Sequence, residues 1–382
     1  MKQISYGGQY IDTSDINTVQ KSLRNKLITS GGSVVKFEKK INDYLKSKFS
    51  TVCNSGTSAI FLALKAINVK KGDIVLMPAI NFISAYNVTK ILGAKVIFID
   101  VDKYTGQITP EKVRECCKKN RIKRFKALIV MYNGGYPLNA QYYLNFKKKF
   151  KCFIIEDACH ALGASYKNKN KLFKVGSCKH SDLCTFSLHP LKTITTGEGG
   201  IVTTNNKKFD STMKSLRSHG ILRNKKKHWS YDINNNSLNF RLTDFQCELG
   251  ISQLRKINKF VNRRKKIAKI YEIKLNGLKK FLNFKFTYQG YIPSYHLLLI
   301  NLKKPSHIIK EKLIKFMLKK KIIIQYHYIP ISKFSIFKKK YIFKNSEIYF
   351  RSTFSLPIFY SLKDTQINYI VKQLNNFFKS NG

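Results

Sequence analysis

The sequence predicts an α/β fold: a mixed, mostly parallel sheet with helices on both faces, followed by a smaller α+β domain. Two observations carry this expectation. From residue 50 onward, short apolar runs alternate with amphipathic stretches, as when helices form the crossovers between parallel strands. After about residue 245 the texture changes to a long amphipathic stretch, then to further apolar runs around another helix.

The segment CNSGTSAIFLALKAI (53–67) reads as a capped helix, with Asn54 or Ser55 as cap, Gly56 in a tight turn and the first turn near Thr57. GDIVLMP (72–78) is a buried strand, NFISAYNVTKILGA (81–94) a helix ended by Gly93, and KVIFIDV (95–101) the next strand. Thr109 and Pro110 open another helix as cap and first helical residue. RFKALIVMY (124–132), KCFIIED (151–157), DLCTFSL (182–188) and GGIVTTN (199–205) follow as strands. QCELGISQLRKINKFVNRRKKIAKIYEIKLNGL reads as one long amphipathic helix. YHLLLINL (295–302), a helix near 306–320 and KIIIQYHYIP (321–330) complete the smaller unit. The expected division is a large domain over 1–255, including the N-terminal segment, and a small one over 256–382.

Composition excludes several classes. With 43% hydrophobic residues in 382, a sizeable core is available and global disorder is not expected. Neither an 18-residue uncharged apolar run nor an apolar leader near Asp12 and Asp15 is present, so a soluble, cytoplasmic protein without a membrane partner is expected. The eight cysteines (53, 116, 117, 152, 159, 178, 184 and 247) show no CxxC pair and no spacing with His. They read as small core residues, with no metal site and no disulfide framework. Lys+Arg number 71 against 21 Asp+Glu, a net charge of +50. That balance raises a rival reading, a regulatory or nucleic-acid-binding protein on the same scaffold. The lysine runs at 147–149, 225–227, 265–266, 319–321 and 338–340 are spread along the chain, which favours a solvated basic surface that attracts anions, with no specific nucleic acid as partner.

In open α/β sheets, ligands collect where strands end and helices begin. Three segments answer to that rule. The start of the helix at Gly56 and Thr57 offers free N–H groups to a phosphate, although capping alone explains the same residues. Asp157 falls at the end of an apolar strand with His160 three residues on, a ligand pair or a capping acid with a packed His. Lys192 follows the strand end at Ser187 and precedes a Gly-rich stretch, the setting of either a solvated loop lysine or a buried, reactive one. Taken together the three have one shared meaning. Pyridoxal 5′-phosphate (PLP) needs a lysine amine for its aldehyde, an acid for its ring nitrogen and donors for its phosphate. Lys192, Asp157 and the Gly56, Thr57, Ser187 group supply one each.

At these residues the sequence resembles the DegT group of PLP-dependent nucleotide-sugar aminotransferases, which have the type I, aspartate-aminotransferase-like fold. NSGTSA, EDACHALGASY, SLHPLKTITTGEGG and NFRLTDFQCELGISQL carry the resemblance. It extends from SYGGQYID near the N-terminus to SLPIFYSLKDTQI near 355–367. Within the group, ISYG, CHALGA, RSHGI (217–221), LNFRLTD and YHYIP are most similar to the pseudaminic acid branch. The resemblance implies that Lys192 is the Schiff-base lysine and proton shuttle. It implies that Asp157 pairs with the pyridine nitrogen, that His160 hydrogen-bonds the ring oxygen or stacks nearby, and that Phe82 lies on the cofactor ring. Gly56, Thr57 and Ser187 would bind phosphate, and Asn239 would reach the phosphate of the other subunit of a homodimer. Tyr6, the Lys26, Leu27, Ile28, Thr29 segment and His327, Tyr328, Ile329 and Pro330 would contact substrate, as would Gly56, Ser187 and Asn239. The implied reaction moves an amino group from L-glutamate to C4 of a UDP-4-keto-6-deoxy-N-acetylhexosamine; a TDP-4-keto-6-deoxyhexose is the alternative substrate. The related sugar 3-dehydratases carry histidine where this chain has Lys192. Three departures stand out: Leu188 replaces an aromatic, MYNGGYP (131–137) replaces a shorter Gly-x-Pro turn, and Ser237 replaces a glycine.

Overall fold

The computed structural model describes residues 3–224, 226–227, 229–233, 235–337 and 342–381; residue 225 and residues 338–340 of the lysine runs lie outside the described residues. Two helices, α1 (Thr13–Ser22) and α2 (Gly32–Leu45), precede the sheet. Its strands are β1 (Phe49–Cys53), β2 (Ile74–Pro78), β3 (Lys95–Ile99), β4 (Ala127–Met131) and β5 (Phe153–Asp157). After a hairpin of β6 (Ser165–Asn168) and β7 (Lys171–Lys174) come β8 (Leu183–Ser187) and β9 (Gly200–Thr204). The main sheet has the order β1-β9-β8-β5-β4-β2-β3. Pairs β2/β3, β2/β4, β4/β5 and β5/β8 are parallel, whereas β9 runs antiparallel to both β8 and β1. This is the mixed, mostly parallel α/β sheet that the sequence predicts.

The apolar runs bury both faces. Leu128 and Val130 join one core with Phe37 and Phe186, while Ala127 and Ile129 join another with Leu62 and Met77. Alternate residues of one strand thus feed opposite layers, which is why the strands read as continuous hydrophobic runs. The covering helices include α3 (Gly56–Ala66), α4 (Ser84–Ile91), α5 (Pro110–Lys119), α6 (Leu144–Phe150) and α7 (Lys207–Leu216). Ser55 caps α3 by accepting from the Ser58 N–H, and Thr109 caps α5 by accepting from the Lys112 N–H. Helix α4 begins three residues later than 81 because Asn81 folds back to accept the Phe82 N–H at 2.7 Å.

One long helix was expected over 246–278; two are found, α8 (Asp244–Arg255) and α9 (Ile257–Lys274). Lys256 breaks them, its ammonium held by Asp12 at 2.8 Å and Asp15 at 2.6 Å. The break lets α8 pack on α1 and α2 while α9 turns to meet the C-terminal helix. Ahead of α8 lies the hairpin β10 (Ile221–Arg223) and β11 (Tyr231–Ile233), and after α9 come the short β12 (Leu282–Asn283) and β13 (Tyr291–Ile292). β14 (Leu298–Leu302), α10 (His307–Lys319), α11 (Lys344–Ser352), β15 (Thr353–Leu356) and α12 (Asp364–Asn381) follow. A third core runs from Ile267 to Phe378 and recruits Ile4 from the N-terminal segment. The 321–330 run makes only isolated bridges, Ile4 to Ile322 and Gln325 to Ser355, which leaves residues 327 and 328 to line the site described below.

The α2–α8 crossing depends on one small residue. A Cβ at Gly250 would overlap the ring of Phe37. Alanine gains about 1 kcal/mol over glycine in a helix, but overpacking costs about 1–3 kcal/mol. Gly250→Ala should therefore be net destabilising, seen as a lower urea midpoint with an unchanged slope.

Candidate active site

The register of the sheet brings the site together. Asp157, the last residue of β5, lies opposite Met131 of β4 and Thr185 of β8, so three parallel strands end along one edge. Asp157 is 3% exposed. Burial pushes its carboxyl above the usual range, opposed by bonding to Cys159, whose N–H donates at 3.3 Å, and by the charge of Lys192. Lys192 is half-buried in the loop after β8. That loop is pinned: the Lys192 N–H donates to the His189 carbonyl at 2.8 Å, and the Thr195 hydroxyl donates to the Leu188 carbonyl at 2.9 Å. Burial lowers the Lys192 amine below its ordinary value, against the pull of Cys159, Asp157 and Glu198. Acid and amine are both biased toward their neutral forms.

A second group closes over this pair. His160 Nδ1 accepts from the Gly134 N–H at 3.3 Å, and Nε2 lies 2.9 Å from the Tyr328 hydroxyl. The His296 ring packs 4.3 Å from that of His160. Burial first, then the charge of Lys192, holds His160 well below its ordinary pKa. The same two causes hold His327 down to about 3, and its Nδ1 sits 2.8 Å from the Ser355 hydroxyl. Tyr6 lies 5.4 Å from the His327 ring, and Phe82, 54% exposed, lies 5.9 Å from that of Tyr328.

The third component is a helix start. The N–H groups of Gly56 and Thr57 open α3 with no acceptor among the described residues. Gly56 lies against the end of β8, where a Cβ would stand 2.9 Å from Ser187 Cβ and 3.2 Å from its hydroxyl. Free backbone N–H groups and the helix dipole favour an anion there, beside the Ser187 hydroxyl.

A family model described as the DegT/DnrJ/EryC1/StrS aminotransferase family matches residues 9–375. The chain belongs to this family. A relative from Campylobacter jejuni subsp. jejuni serotype O:23/36 (strain 81-176), UDP-4-amino-4,6-dideoxy-N-acetyl-beta-L-altrosamine transaminase, is 37% identical over 358 residues, covering 93% of this chain and 92% of the relative. GDP-perosamine synthase from Escherichia coli O157:H7 is 28% identical, with 94% of each chain covered. Among solved structures, Helicobacter pylori PseC, an aminotransferase involved in the biosynthesis of pseudoaminic acid, superposes with a TM-score of 0.92 at 26% identity, covering 99% of this chain and 100% of that one.

Not every residue that the family resemblance singled out lies in this cluster. Lys192, Asp157, His160, Phe82, Ser187, Gly56, Thr57, Tyr6, His327 and Tyr328 line the strand ends and the helix start just described. Ile329 is 36% exposed, and Pro330 is buried as the chain leaves toward the Ala79 carbonyl, which accepts from the Ile331 N–H. Lys26, Leu27, Ile28 and Thr29 form an exposed strip held to the start of α8, where Thr29 bridges Thr243 and the Asp244 N–H donates to the Ile28 carbonyl. Gln246 of α8 in turn donates to the Thr196 and Glu198 carbonyls of the lysine loop, so the strip lies one layer from Lys192. Asn239 is exposed, its carbonyl accepting from the Asn54 amide at 3.4 Å. The sequence reading missed Asn133, Gly134, His296 and Tyr349. MYNGGYP, lying after an apolar strand, was the available signal for the first two. Among the described residues no helix is long and apolar enough to cross a membrane, and no group of three or more His, Cys, Asp or Glu side chains is placed to hold a metal.

A depressed amine pKa is open to direct measurement. Trinitrobenzenesulfonate at neutral pH should modify Lys192 ahead of surface lysines, because a larger share of its amine is unprotonated. Lys310, also depressed, to about 7, but wholly buried, should stay unlabelled. Peptide mass spectrometry over a pH series reads both; a Lys192 labelling rate that matches the surface set would refute the environment described.

Proposed function

We propose that the chain is a PLP-dependent transaminase that moves an amino group from L-glutamate to C4 of a UDP-4-keto-6-deoxy-N-acetylhexosamine, in pseudaminic acid or related sugar biosynthesis. The observation that carries the chemistry is the convergence of a half-buried lysine, Lys192, whose charged form is disfavoured, and a buried acid, Asp157, at one sheet edge near a free helix start. The substrate assignment is supported by the name of the Campylobacter relative, which spans nearly the same length.

The residues fit PLP on three counts. Asp157 is buried with no ion pair among the described residues, an arrangement that a protonated ring nitrogen would complete. The cradle at Gly56, Thr57 and Ser187 suits a phosphate, and a single Cβ at Gly56 would crowd it. Phe82 presents an exposed ring for an aromatic partner. When bound, PLP supplies an aldehyde that exchanges amines and a ring that takes up electrons from the donor's α-carbon. Asp157 would keep the proton on the ring nitrogen. Lys192, whose neutral form burial favours, would take the proton from the α-carbon of glutamate and return it to the cofactor carbon across the shared nitrogen. His327, neutral above about pH 3, and Tyr6 would face the sugar without adding charge.

Dimerisation belongs to the same proposal. Leu222, Trp229, Tyr231, Ile233 and Leu238 are all exposed on and beside the β10–β11 hairpin, with Leu27 and Ile28 exposed on the other strip. A second copy would cover such apolar surface and bring Asn239 to the partner's phosphate. The division near residue 256 is proposed on the third core, which begins beyond the α8–α9 break.

Lys192→Ala should abolish both the visible cofactor absorbance and turnover; a variant that keeps both sinks the assignment. Asp157→Asn should retain the lysine link yet hold the cofactor at least about tenfold more weakly, since a hydrogen bond to a charged group is lost. Incubation with glutamate and a panel of UDP- and TDP-4-keto sugars, read by mass spectrometry, should show amination of the UDP-N-acetyl sugar; selective amination of a TDP sugar would overturn the substrate.

A further inference from the structure

Of the two residues that the sequence offers as the cap of α3, Ser55 takes that role and Asn54 takes another. The Asn54 N–H donates to the Phe240 carbonyl at 2.9 Å, and its side-chain amide donates to the Asn239 carbonyl at 3.4 Å. Its Oδ1 accepts from the Ser58 hydroxyl at 2.6 Å, and that hydroxyl lies 2.9 Å from the Ser55 hydroxyl. One residue therefore joins the first turn of α3 to two consecutive carbonyls far along the chain.

A second anchor holds the same segment from its other side. The Phe240 N–H donates to the Arg217 carbonyl at 2.9 Å, and Asn239 bridges Ser218. Arg241 reaches back to the Ser218 hydroxyl at 2.8 Å. The Arg217 guanidinium is itself bound to Glu38 at 2.6 Å and to the Val52 carbonyl of β1 at 3.1 Å. Segment 239–241 thus hangs from both β1 and the helix that follows it. Asn239 is nevertheless exposed. Its Oδ1 accepts from the Arg241 N–H at 3.1 Å, which leaves the NH2 group as the end that can donate outward.

We propose that Asn54 is a positioning residue that acts across a dimer: it sets the Asn239 amide at the place from which it donates to the cofactor phosphate of the other subunit. This rests on the PLP and dimer readings above. In a two-fold dimer the arrangement is reciprocal, so each helix start carries, through its own Asn54, the arm that completes the other site. Support of α3 through Ser58, by contrast, acts within one subunit. The two roles differ in where the loss falls when Asn54 is removed.

Hybrid dimers separate them. A subunit carrying Lys192→Ala is co-expressed with one carrying an intact Lys192 and a second affinity tag, so each purified hybrid has one lysine-linked site with visible absorbance. PLP titration then reads the affinity of that site. Asn54→Ala placed in the Lys192→Ala subunit should weaken it on the order of tenfold, the worth of a hydrogen bond to a charged group. Asn239→Ala placed there should weaken it at least as much. Asn54→Ser keeps a hydroxyl for Ser58 but is too short to hold the Asn239 carbonyl. It should act like alanine, and it serves if the alanine variant does not assemble. An unchanged affinity with both Asn54 variants, while Asn239→Ala in the same subunit weakens it, overturns the positioning role. No effect of Asn239→Ala there overturns the contact across the dimer, and a monomer by light scattering overturns the dimer itself. Wild-type protein without cofactor absorbance brings down the PLP reading. Each of these last three results takes the inference with it.

Discussion

The structure turns on taking an amine and an acid out of water at the same sheet edge. Alone, a buried carboxylate or ammonium is costly, and each group here responds by leaning to its neutral form. The surroundings offer little relief: Asp157 receives one N–H from Cys159, and the three imidazoles at 160, 296 and 327 are all held neutral by the same burial. Acid and amine together suit a ligand that brings a counter-charge to the one and a reaction partner to the other. The cost is borne by the rigid sheet beneath, whose strands are buried on both faces.

The third core serves the same end from the other side. Arg264, 2% exposed, donates through one nitrogen to the carbonyls of Tyr295, His296 and Ile358. Burial lowers its pKa to about 10, and no carboxylate pairs with it among the described residues. A guanidinium bound to carbonyls in this way acts as a clamp. It fixes the segment that presents His296 and the chain just past β15, whose Ser355 holds the His327 ring. The end of β5 and the segment around His296 thus meet at the His160–His296 ring contact through backbone that is already tied down.

The sequence revealed what short-range physics determines. Every strand of the main sheet from β2 to β9 was legible from apolar runs, unlike the separate β6–β7 hairpin, and residue type marked the cap at Thr109 while leaving that of α3 between Asn54 and Ser55. Asp157 and Lys192 were singled out because strand ends in parallel sheets gather ligands, and the fold brings the two into electrostatic reach of each other at one sheet edge. The break at Lys256 was not legible, since it depends on Asp12 and Asp15, more than 240 residues away in the chain. Likewise, nothing local in MYNGGYP reveals that its glycine N–H fixes one imidazole while its asparagine reaches a tyrosine 216 residues on.

Surface and site follow opposite electrostatic rules. Outside, the +50 charge is spread over solvated lysines and provides a long-range pull on anions that salt would screen. Inside, burial disfavours the charged form of the nearest imidazoles, so among the described residues at these strand ends Lys192 is the cation that faces Asp157. An anionic ligand would therefore be drawn in by the exterior but oriented by hydrogen bonds and rings at the strand ends. A permanent cation beside Lys192 would depress its amine further and compete with it for anionic groups.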